Sequence, residues 1–448
     1  MYDIIIIGSG PGGYEVAVEA AKEGLQVLVV ERARFGGTCL NEGCIPTKCL
    51  CHSAEILDEV RDAESLGITA TDIKFDIQAA MARKDSVLDN LRGGIAMLMK
   101  TPGITVVEGE AKFKAGDAHT VEVGGEAYSA KHVFIATGSD TKYLPIPGAH
   151  SPRVLTSREM LQIDHVPERL VIIGGGVIGL EFAGIFNSFG SQVTVVEFCK
   201  EILPPFDRDI AKRLRTSLKK RGITFEVGAA VTEVRDEADH AVVIYDKKGK
   251  LAEVEADTVL MAVGRGANVG TLNLEEAGID FTPRGIKVDD NMMTNVPGVY
   301  AVGDINGLCQ LAHAATFQSY RALNHVQGRE DNIRLDIIPA AVFTTPEAAM
   351  VGLTEEALEA KGIAYKAHKA MYRANGRALS MKAEDGLVKI LEAEDGTILG
   401  AHLLGAHAAD MVHEIAALMN VGGKFSQIAE MVHAHPSLSE IILAAARS

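Results

Sequence analysis

Ile4-Ile5-Ile6-Ile7-Gly8-Ser9-Gly10-Pro11-Gly12-Gly13 runs an apolar stretch straight into a glycine-rich turn. It reads as a buried first strand. A helical stretch over residues 14–23 follows, Gly24 ends it, and Val27-Leu28-Val29-Val30-Glu31 reads as a second strand. Gly8, Gly10 and Gly13 permit a tight turn and let a pyrophosphate approach backbone N–H groups at a helix N-terminus. Glu31, at the end of the second strand, is placed to accept hydrogen bonds from a ribose hydroxyl.

The pattern returns. Leu170-Val171-Ile172-Ile173 leads into Gly174-Gly175-Gly176-Val177-Ile178-Gly179, a helix runs through Phe189 to Gly190, and Val193-Thr194-Val195-Val196-Glu197 follows. The offset is 166 residues for the first glycine (8 to 174) and for the acid (31 to 197). One such motif is weak evidence. Two, each between a strand and a helix and each followed by an acid at the same distance, are strong. They imply an α/β chain with two Rossmann-like folds, for two dinucleotides or for one held permanently and one exchanged. Glu197, ahead of Phe198-Cys199-Lys200, would repel the 2′-phosphate of NADP and favours NAD.

Three further segments look like strands ending at glycine turns: residues 133–138, 259–264 and 299–303. The last ends beside Asp304, either an ordinary turn residue or a holder of a ribityl or phosphate-linked group. A long helix is expected from Leu311-Ala312 onward. From Pro339 the pattern changes to strands at 341–344, 387–391 and 398–403 and helices at 409–420 and 437–446, an α+β domain without a glycine fingerprint.

A chain of 448 residues should hold roughly three domains. A net charge of −16 argues against nucleic acid, which needs clustered Lys and Arg. The N-terminal apolar run lacks a basic region, and no run approaches about 18 apolar residues, so no membrane contact and a cytoplasmic location are expected. The six cysteines, at 39, 44, 49, 51, 199 and 309, do not form the framework of a secreted disulfide-rich domain.

Cys39 and Cys44 lie in Gly37-Thr38-Cys39-Leu40-Asn41-Glu42-Gly43-Cys44-Ile45-Pro46-Thr47-Lys48. Residues five apart in a regular helix have Cα atoms roughly 8.6 Å apart, beyond the ~6.8 Å limit for a disulfide. The pair can bridge only across an irregular turn. Gly43 permits one, and Pro46 suits a first helical turn while disfavouring a helix through Ile45. Lys48, four residues after Cys44, can stabilise a thiolate or an electron-rich ring. Three readings stand: a redox-active pair, inert thiols, or a metal site with Cys49 and Cys51, whose spacing fits no common zinc pattern. Cys49, Cys51, Cys199 and Cys309 by themselves read as core-facing or incidental.

Exchange between dithiols needs an acid–base group. His433-Ala434-His435-Pro436-Ser437-Leu438-Ser439-Glu440 offers His435 with Glu440 to orient it. The competing reading is a capping box, Ser437-x-x-Glu440, in which Glu440 serves the backbone.

The thiol segment and His433-Ala434-His435-Pro436, with residues 174–181, Ala301-Val302-Gly303-Asp304 and Pro346-Glu347, resemble the flavoprotein disulfide reductases, the class I pyridine nucleotide-disulfide oxidoreductases. The likeness spans essentially the whole chain and is greatest to the members that oxidise dihydrolipoamide. It implies two Rossmann-like FAD- and NAD-binding domains and a C-terminal α+β dimerisation domain, with FAD-binding parts at 1–145 and 269–336, NAD binding at 146–268 and dimerisation at 337–448. FAD would use Gly8, Gly10, Gly13, Glu31, Gly37, Thr38, Lys48, Ala111, Thr137, Gly138, Asp304 and Ala312, with Lys48 paired to Glu181. NAD would use Gly174, Gly176, Gly179, Glu181, Glu197, Val231 and Gly264. Cys39 would exchange with substrate and Cys44 would face the flavin. His435, oriented by Glu440, would reach the dithiol of the other subunit of a homodimer.

The implied partners are lipoyl-bearing proteins of 2-oxo acid dehydrogenase complexes or of the glycine cleavage system, since the chain carries no lipoyl domain. Ser437 where a Thr is usual, Thr345 where His often precedes Pro346, and the low charge of residues 311–317 depart from the pattern. Within the family, Glu197 speaks against an NADP-linked glutathione reductase. The ending Leu443-Ala444-Ala445-Ala446-Arg447-Ser448, without a cysteine pair, speaks against a mercuric reductase or a large thioredoxin reductase. A non-enzymatic FAD-binding protein would need neither the dithiol nor His435.

Overall fold

Alternate residues of the strand Tyr2–Ile7 point to opposite faces of its sheet. Ile4 and Ile6 enter one apolar cluster and Ile5 and Ile7 another, and all four are buried. Burial on both faces is why the run is unbroken isoleucine rather than an alternation. The computed structural model describes residues 1–448, which divide into two compact units.

The first unit comprises Met1–Cys49, Ala79–Lys142 and Gly264–Leu335. Its sheet runs Ile104–Glu108, Val27–Glu31, Tyr2–Ile7, Glu126–Ile135, Asp117–Val123, Ala111–Lys114, with Val299–Ala301 also paired to Glu126–Ile135. Tyr2–Ile7 is parallel to both neighbours, in the registers Ile4↔Val27 and Ile4↔His132. The helices Pro11–Lys22 and Ala312–Val326 belong to the same unit, joined where the Ser319 hydroxyl donates to Gly12 O at 2.5 Å. A Cβ on Gly12 would stand 3.2 Å from that of Ala315, so the glycine sets how closely the two helices approach.

The second unit comprises Leu50–Gln78, Tyr143–Val263 and Asp336–Ser448. It repeats the parallel arrangement in the order Thr224–Val227, Gln192–Glu197, Arg169–Ile173, Thr258–Met261, Val154–Leu155. A three-stranded antiparallel sheet, Ala229–Asp236, Ala241–Lys247 and Lys250–Ala256, follows in sequence. A five-stranded antiparallel sheet, Ala340–Val342, Ala348–Gly352, Ile398–Leu404, Leu387–Glu392 and Lys366–Met371, carries the C-terminal core. Val388, Ile390 and Leu403 of this sheet pack with Val412, Ile415, Ile428, Ile441 and Ile442 of the helices Ala408–Asn420, Phe425–Glu430 and Glu440–Ala446.

Three local expectations are corrected. The last helix starts at Glu440, not at residue 437, with Ser439 at its N-cap. The helix Cys44–Asp62 does run through Ile45: Pro46 lies in its first turn, where no intrahelical N–H is required. Ala348–Gly352, Lys366–Met371 and Phe425–Glu430 are elements the periodicity did not single out.

One ion cluster in the second unit is built on a fully buried lysine. Lys389 Nζ lies 2.6 Å from Asp207 Oδ1 and 3.0 Å from Asp209 Oδ2 and also donates to Glu355. Asp207 caps the helix Arg208–Lys220, and Glu355 opens Glu355–Lys361. The acids of two helix starts therefore share one buried ammonium.

Candidate active site

The two glycine fingerprints match atom by atom. Gly8 and Gly174 adopt φ of +103° and +112°, and a Cβ on either would strike a carbonyl, Ala136 O at 2.5 Å or Ala262 O at 2.3 Å. A Cβ on Gly13 or Gly179 would lie 2.0 or 2.1 Å from the carbonyl of Gly8 or Gly174. The middle glycine differs. A Cβ on Gly176 meets nothing within 4 Å, and one on Gly10 meets only the Gly37 Cα at 3.8 Å. The outer glycines thus serve close packing, and the middle ones keep open ground before a helix N-terminus. The helices Pro11–Lys22 and Val177–Phe189 start from Gly10 and Gly176 without a side-chain cap, which suits an anionic diphosphate.

The acids match as well. Glu31 Oε2 accepts from Ser9 N at 2.9 Å and Ser9 Oγ at 2.6 Å, and Oε1 from Ala33 N at 2.8 Å. Glu197 Oε2 accepts from Gly175 N at 2.6 Å and Oε1 from Cys199 N at 2.5 Å, and the Cys199 thiol bonds to it too. A carboxylate has about four lone-pair positions, so each is oriented by three donors with capacity left for a ribose hydroxyl. A cavity of about 300 Å³ opens on Glu31, between Arg34, Phe35, Arg92 and Glu108.

In the first unit Asp304 Oδ2 accepts from Ser139 Oγ at 2.5 Å, and Arg265 Nε donates to the same hydroxyl at 2.8 Å. Gly303 N is held by Gln318 of the helix that Ala312 opens. Thr137 Oγ1 is buried without a hydrogen-bond partner, and Gly138 follows at φ +69°. A buried hydroxyl with unused capacity, beside Asp304's anchored carboxylate and the open Gly10 turn, fits a flavin nucleotide. Ala111 lies buried in a strand paired to Val123, and Gly264 O accepts from Lys142 N at 3.0 Å. In the second unit Val231 pairs with Tyr245, and buried Glu181 accepts from Phe343 N at 3.0 Å.

The thiol segment packs directly on the first fingerprint. Gly36 N donates to Ser9 O at 2.9 Å, and a Cβ on Gly37 would lie 2.7 Å from the Gly10 Cα. Cys39 sits in the short helix Gly37–Asn41, and Cys44 begins the next one. Between them a Cβ on Gly43 would lie 2.9 Å from Thr38 O, so only glycine lets the chain fold back there. The break brings both sulfurs, present as thiols, into a hydrogen bond with each other. That bond, burial and the charge of an ionised Cys44 push the Cys39 thiol up, and Lys48 opposes the shift. Cys199 and Cys309 are pushed up chiefly by burial, which suits unreactive thiols.

In the second unit His435 Nδ1 lies 2.9 Å from Glu440 Oε1, with the imidazole 81% exposed. The other carboxylate oxygen accepts from Ser437 N at 2.8 Å. The two readings of Glu440 are thus both realised, one by each oxygen. The Ser437 hydroxyl makes no reciprocal bond and is buried without a partner, so the capping box is half formed. Hydrogen bonds from Ser437 N and His435 hold the Glu440 carboxyl below its ordinary value.

Several neighbours escaped sequence reasoning. Tyr14 lies near enough to Cys39 for their charges to interact, and its hydroxyl donates to Glu15 at 3.0 Å. Asn41, between the cysteines, donates to Phe35 O and Gly37 O and accepts from Arg92 at 3.1 Å. Ser139 and Arg265 anchor Asp304. Asn41 lies within the thiol segment, but its anchoring contacts, like the other residues, are marked only by proximity in the fold.

Residues 2–319 match the family model described as pyridine nucleotide-disulphide oxidoreductase, and residues 338–446 match the dimerisation domain of the same family. The chain is 40% identical to a dihydrolipoyl dehydrogenase of Bacillus subtilis, over 99% of this chain and 95% of the relative. It is 37% identical to the mitochondrial dihydrolipoyl dehydrogenase 1 of Arabidopsis thaliana, over 99% and 89%. Among solved structures, the HOCl-induced flavoprotein disulfide reductase RclA of Escherichia coli superposes with a TM-score of 0.87 at 31% identity, covering 98% of each chain.

Proposed function

The chain belongs to the pyridine nucleotide-disulphide oxidoreductase family, and from that membership we propose that it oxidises protein-bound dihydrolipoamide to lipoamide with reduction of NAD to NADH. The observation that carries the reading is the Cys39–Cys44 pair, two mutually hydrogen-bonded thiols on a segment packed against a dinucleotide fingerprint.

Turnover begins with the pair as a disulfide. His435, its Nδ1 engaged by Glu440, offers Nε2 as a base and takes the proton of one substrate thiol. The thiolate attacks the Cys39 sulfur, the Cys39–Cys44 bond breaks, and Cys44 leaves as a thiolate beside Lys48. The second substrate sulfur, giving up its proton to solvent, attacks the mixed disulfide and closes the lipoyl ring. Cys39 departs and recovers the proton held by His435. The substrate dithiol has become a disulfide and the enzyme disulfide a dithiol. When bound, FAD would supply two-electron redox chemistry between this dithiol and NAD. For that chemistry Gly8, Gly10, Gly13, Glu31, Gly37, Thr38, Lys48, Thr137, Gly138, Asp304 and Ala312 are the proposed flavin residues. Gly174, Gly176, Gly179, Glu181, Glu197 and Gly264 are those proposed for NAD, with Glu197 excluding a 2′-phosphate.

The active form is a homodimer built through the C-terminal domain, with His435 serving the partner's dithiol. Its substrates are lipoyl groups carried by 2-oxo acid dehydrogenase complexes or the glycine cleavage system, in the cytoplasm. The test is NADH formation from dihydrolipoamide and NAD, run beside NADPH oxidation with glutathione disulfide. Turnover of the first pair supports the reading. Turnover of the second pair alone assigns the chain to another reductase of the family.

A further inference from the structure

Between Met431 and Pro436 one side chain alone turns inward. Met431, Val432, Ala434, His435 and Pro436 are exposed, whereas the ring of His433 is only 5% exposed. The chain here has left the helix Phe425–Glu430 and has not yet entered Glu440–Ala446, so no backbone ladder fixes it. His433 does so instead. Its Nδ1 lies 3.1 Å from Met431 O, and its Nε2 lies 2.9 Å from Glu414 Oε1 on the helix Ala408–Asn420. Both partners are acceptors. The ring thus bridges the loop's own backbone and the helix Ala408–Asn420.

His435 stands two residues on from this anchor. Beyond His435 the loop is pinned at Ser437, whose N–H bonds to Glu440 and whose carbonyl accepts from Asn375 Nδ2 at 3.0 Å. Before His435 the only side chain that ties the loop to the domain is His433.

We propose that His433 is a positioning residue for turnover: held between the Met431 carbonyl and Glu414, it sets the loop that presents His435 to the dithiol. The inference rests on the reading of His435 as the acid–base group. It extends the catalytic apparatus to a His433–Glu414 pair that touches no reacting atom.

The experiment uses the FAD-loaded full-length protein and four variants, His433→Ala, His433→Gln, Glu414→Gln and, as a control, His435→Ala. Two reactions are followed: dihydrolipoamide with NAD, which needs thiol exchange, and NADH with ferricyanide, which takes electrons without it. His433→Ala is expected to lower kcat for dihydrolipoamide at least about tenfold, with KM and ferricyanide reduction changed by less than about twofold. His433→Gln, which donates from one nitrogen, should recover part of the loss. Glu414→Gln keeps the shape and one acceptor, so it should fold normally and lose about threefold or more through the weaker, uncharged bond.

If His433→Ala and Glu414→Gln both keep kcat within twofold while His435→Ala is severely impaired, the positioning role is overturned and the acid–base reading stands. If His435→Ala is itself unimpaired, that reading falls first. Equal losses in both reactions would mean a merely structural residue and would also overturn the inference. Should His433→Ala fail to fold, Glu414→Gln decides on the same criteria.

Discussion

Glu440 divides its carboxylate between a neighbour and its own helix start: Oε1 lies 2.9 Å from Nδ1 of His435, and Oε2 accepts the Ser437 N–H at 2.8 Å. The first bond fixes the tautomer that leaves Nε2 as the base. The second fixes where the carboxylate stands.

Glu440→Gln should therefore lower thiol-exchange turnover by about 10² or more at neutral pH, since an amide neither stabilises the imidazolium nor enforces the tautomer. The carboxyl is held below its ordinary value, so its contribution to stability is complete above the unfolded value and is lost as pH falls through the lowered folded one. The melting temperatures of wild type and Glu440→Gln should accordingly differ at pH 7 and converge in acid. A constant difference at all pH values would contradict this.

The fingerprint glycines predict opposite consequences for the same substitution. Gly176→Ala has open space and should change stability by no more than about 0.5 kcal/mol, yet raise KM for NAD at least about tenfold by occupying the diphosphate's ground. Gly179→Ala drives a Cβ to within 2.1 Å of Gly174 O and should cost about 2–3 kcal/mol. Urea denaturation together with NAD kinetics separates the two effects.

Glu197→Ala should reduce kcat/KM for NAD at least about tenfold and for NADP much less, so that the preference narrows. Because Glu197 also holds Gly175 N and Cys199 N, the variant should not become a good NADP enzyme. Unchanged discrimination between the two nucleotides would remove Glu197 from their recognition.

Lys389→Met should destabilise the fold by about 3–5 kcal/mol, because it strands the buried carboxylate of Asp207. Adding Asp207→Asn to it should recover part of the loss. Lys369 and Lys389 lower Asp209 to about 2, so the cluster's support is present above the ordinary carboxylate range and fades as pH falls towards about 2. Acid unfolding of Lys389→Met should thus begin from a lower plateau and lose less on acidification.

The two nucleotide folds were legible because their signals are local. A glycine that must avoid a carbonyl, and an acid at a fixed distance, leave marks that a single sequence carries, and the constant offset of 166 residues extends even to the donors Ser9 and Gly175, Ala33 and Cys199. The irregular turn between the thiols was legible through Gly43. What remained hidden depends on contacts distant in sequence. Lys389 reads as a polar residue in a strand until Asp207 and Glu355 close around it. Tyr14 reads as an ordinary first-turn residue of a helix until Cys39 is folded back toward it. Ser437 resembles a helix start because its capping pattern is genuine, but the carboxylate that would cap is shared with His435.

The central claim is that electrons from dihydrolipoamide reach NAD only through the Cys39–Cys44 pair. Its most direct test is NADH formation from dihydrolipoamide and NAD by the FAD-loaded Cys44→Ser protein. The account predicts a loss of about 10³ or more, because substrate thiolate then has no disulfide to attack, while NADH-driven ferricyanide reduction persists. Full dihydrolipoamide turnover by Cys44→Ser would contradict it.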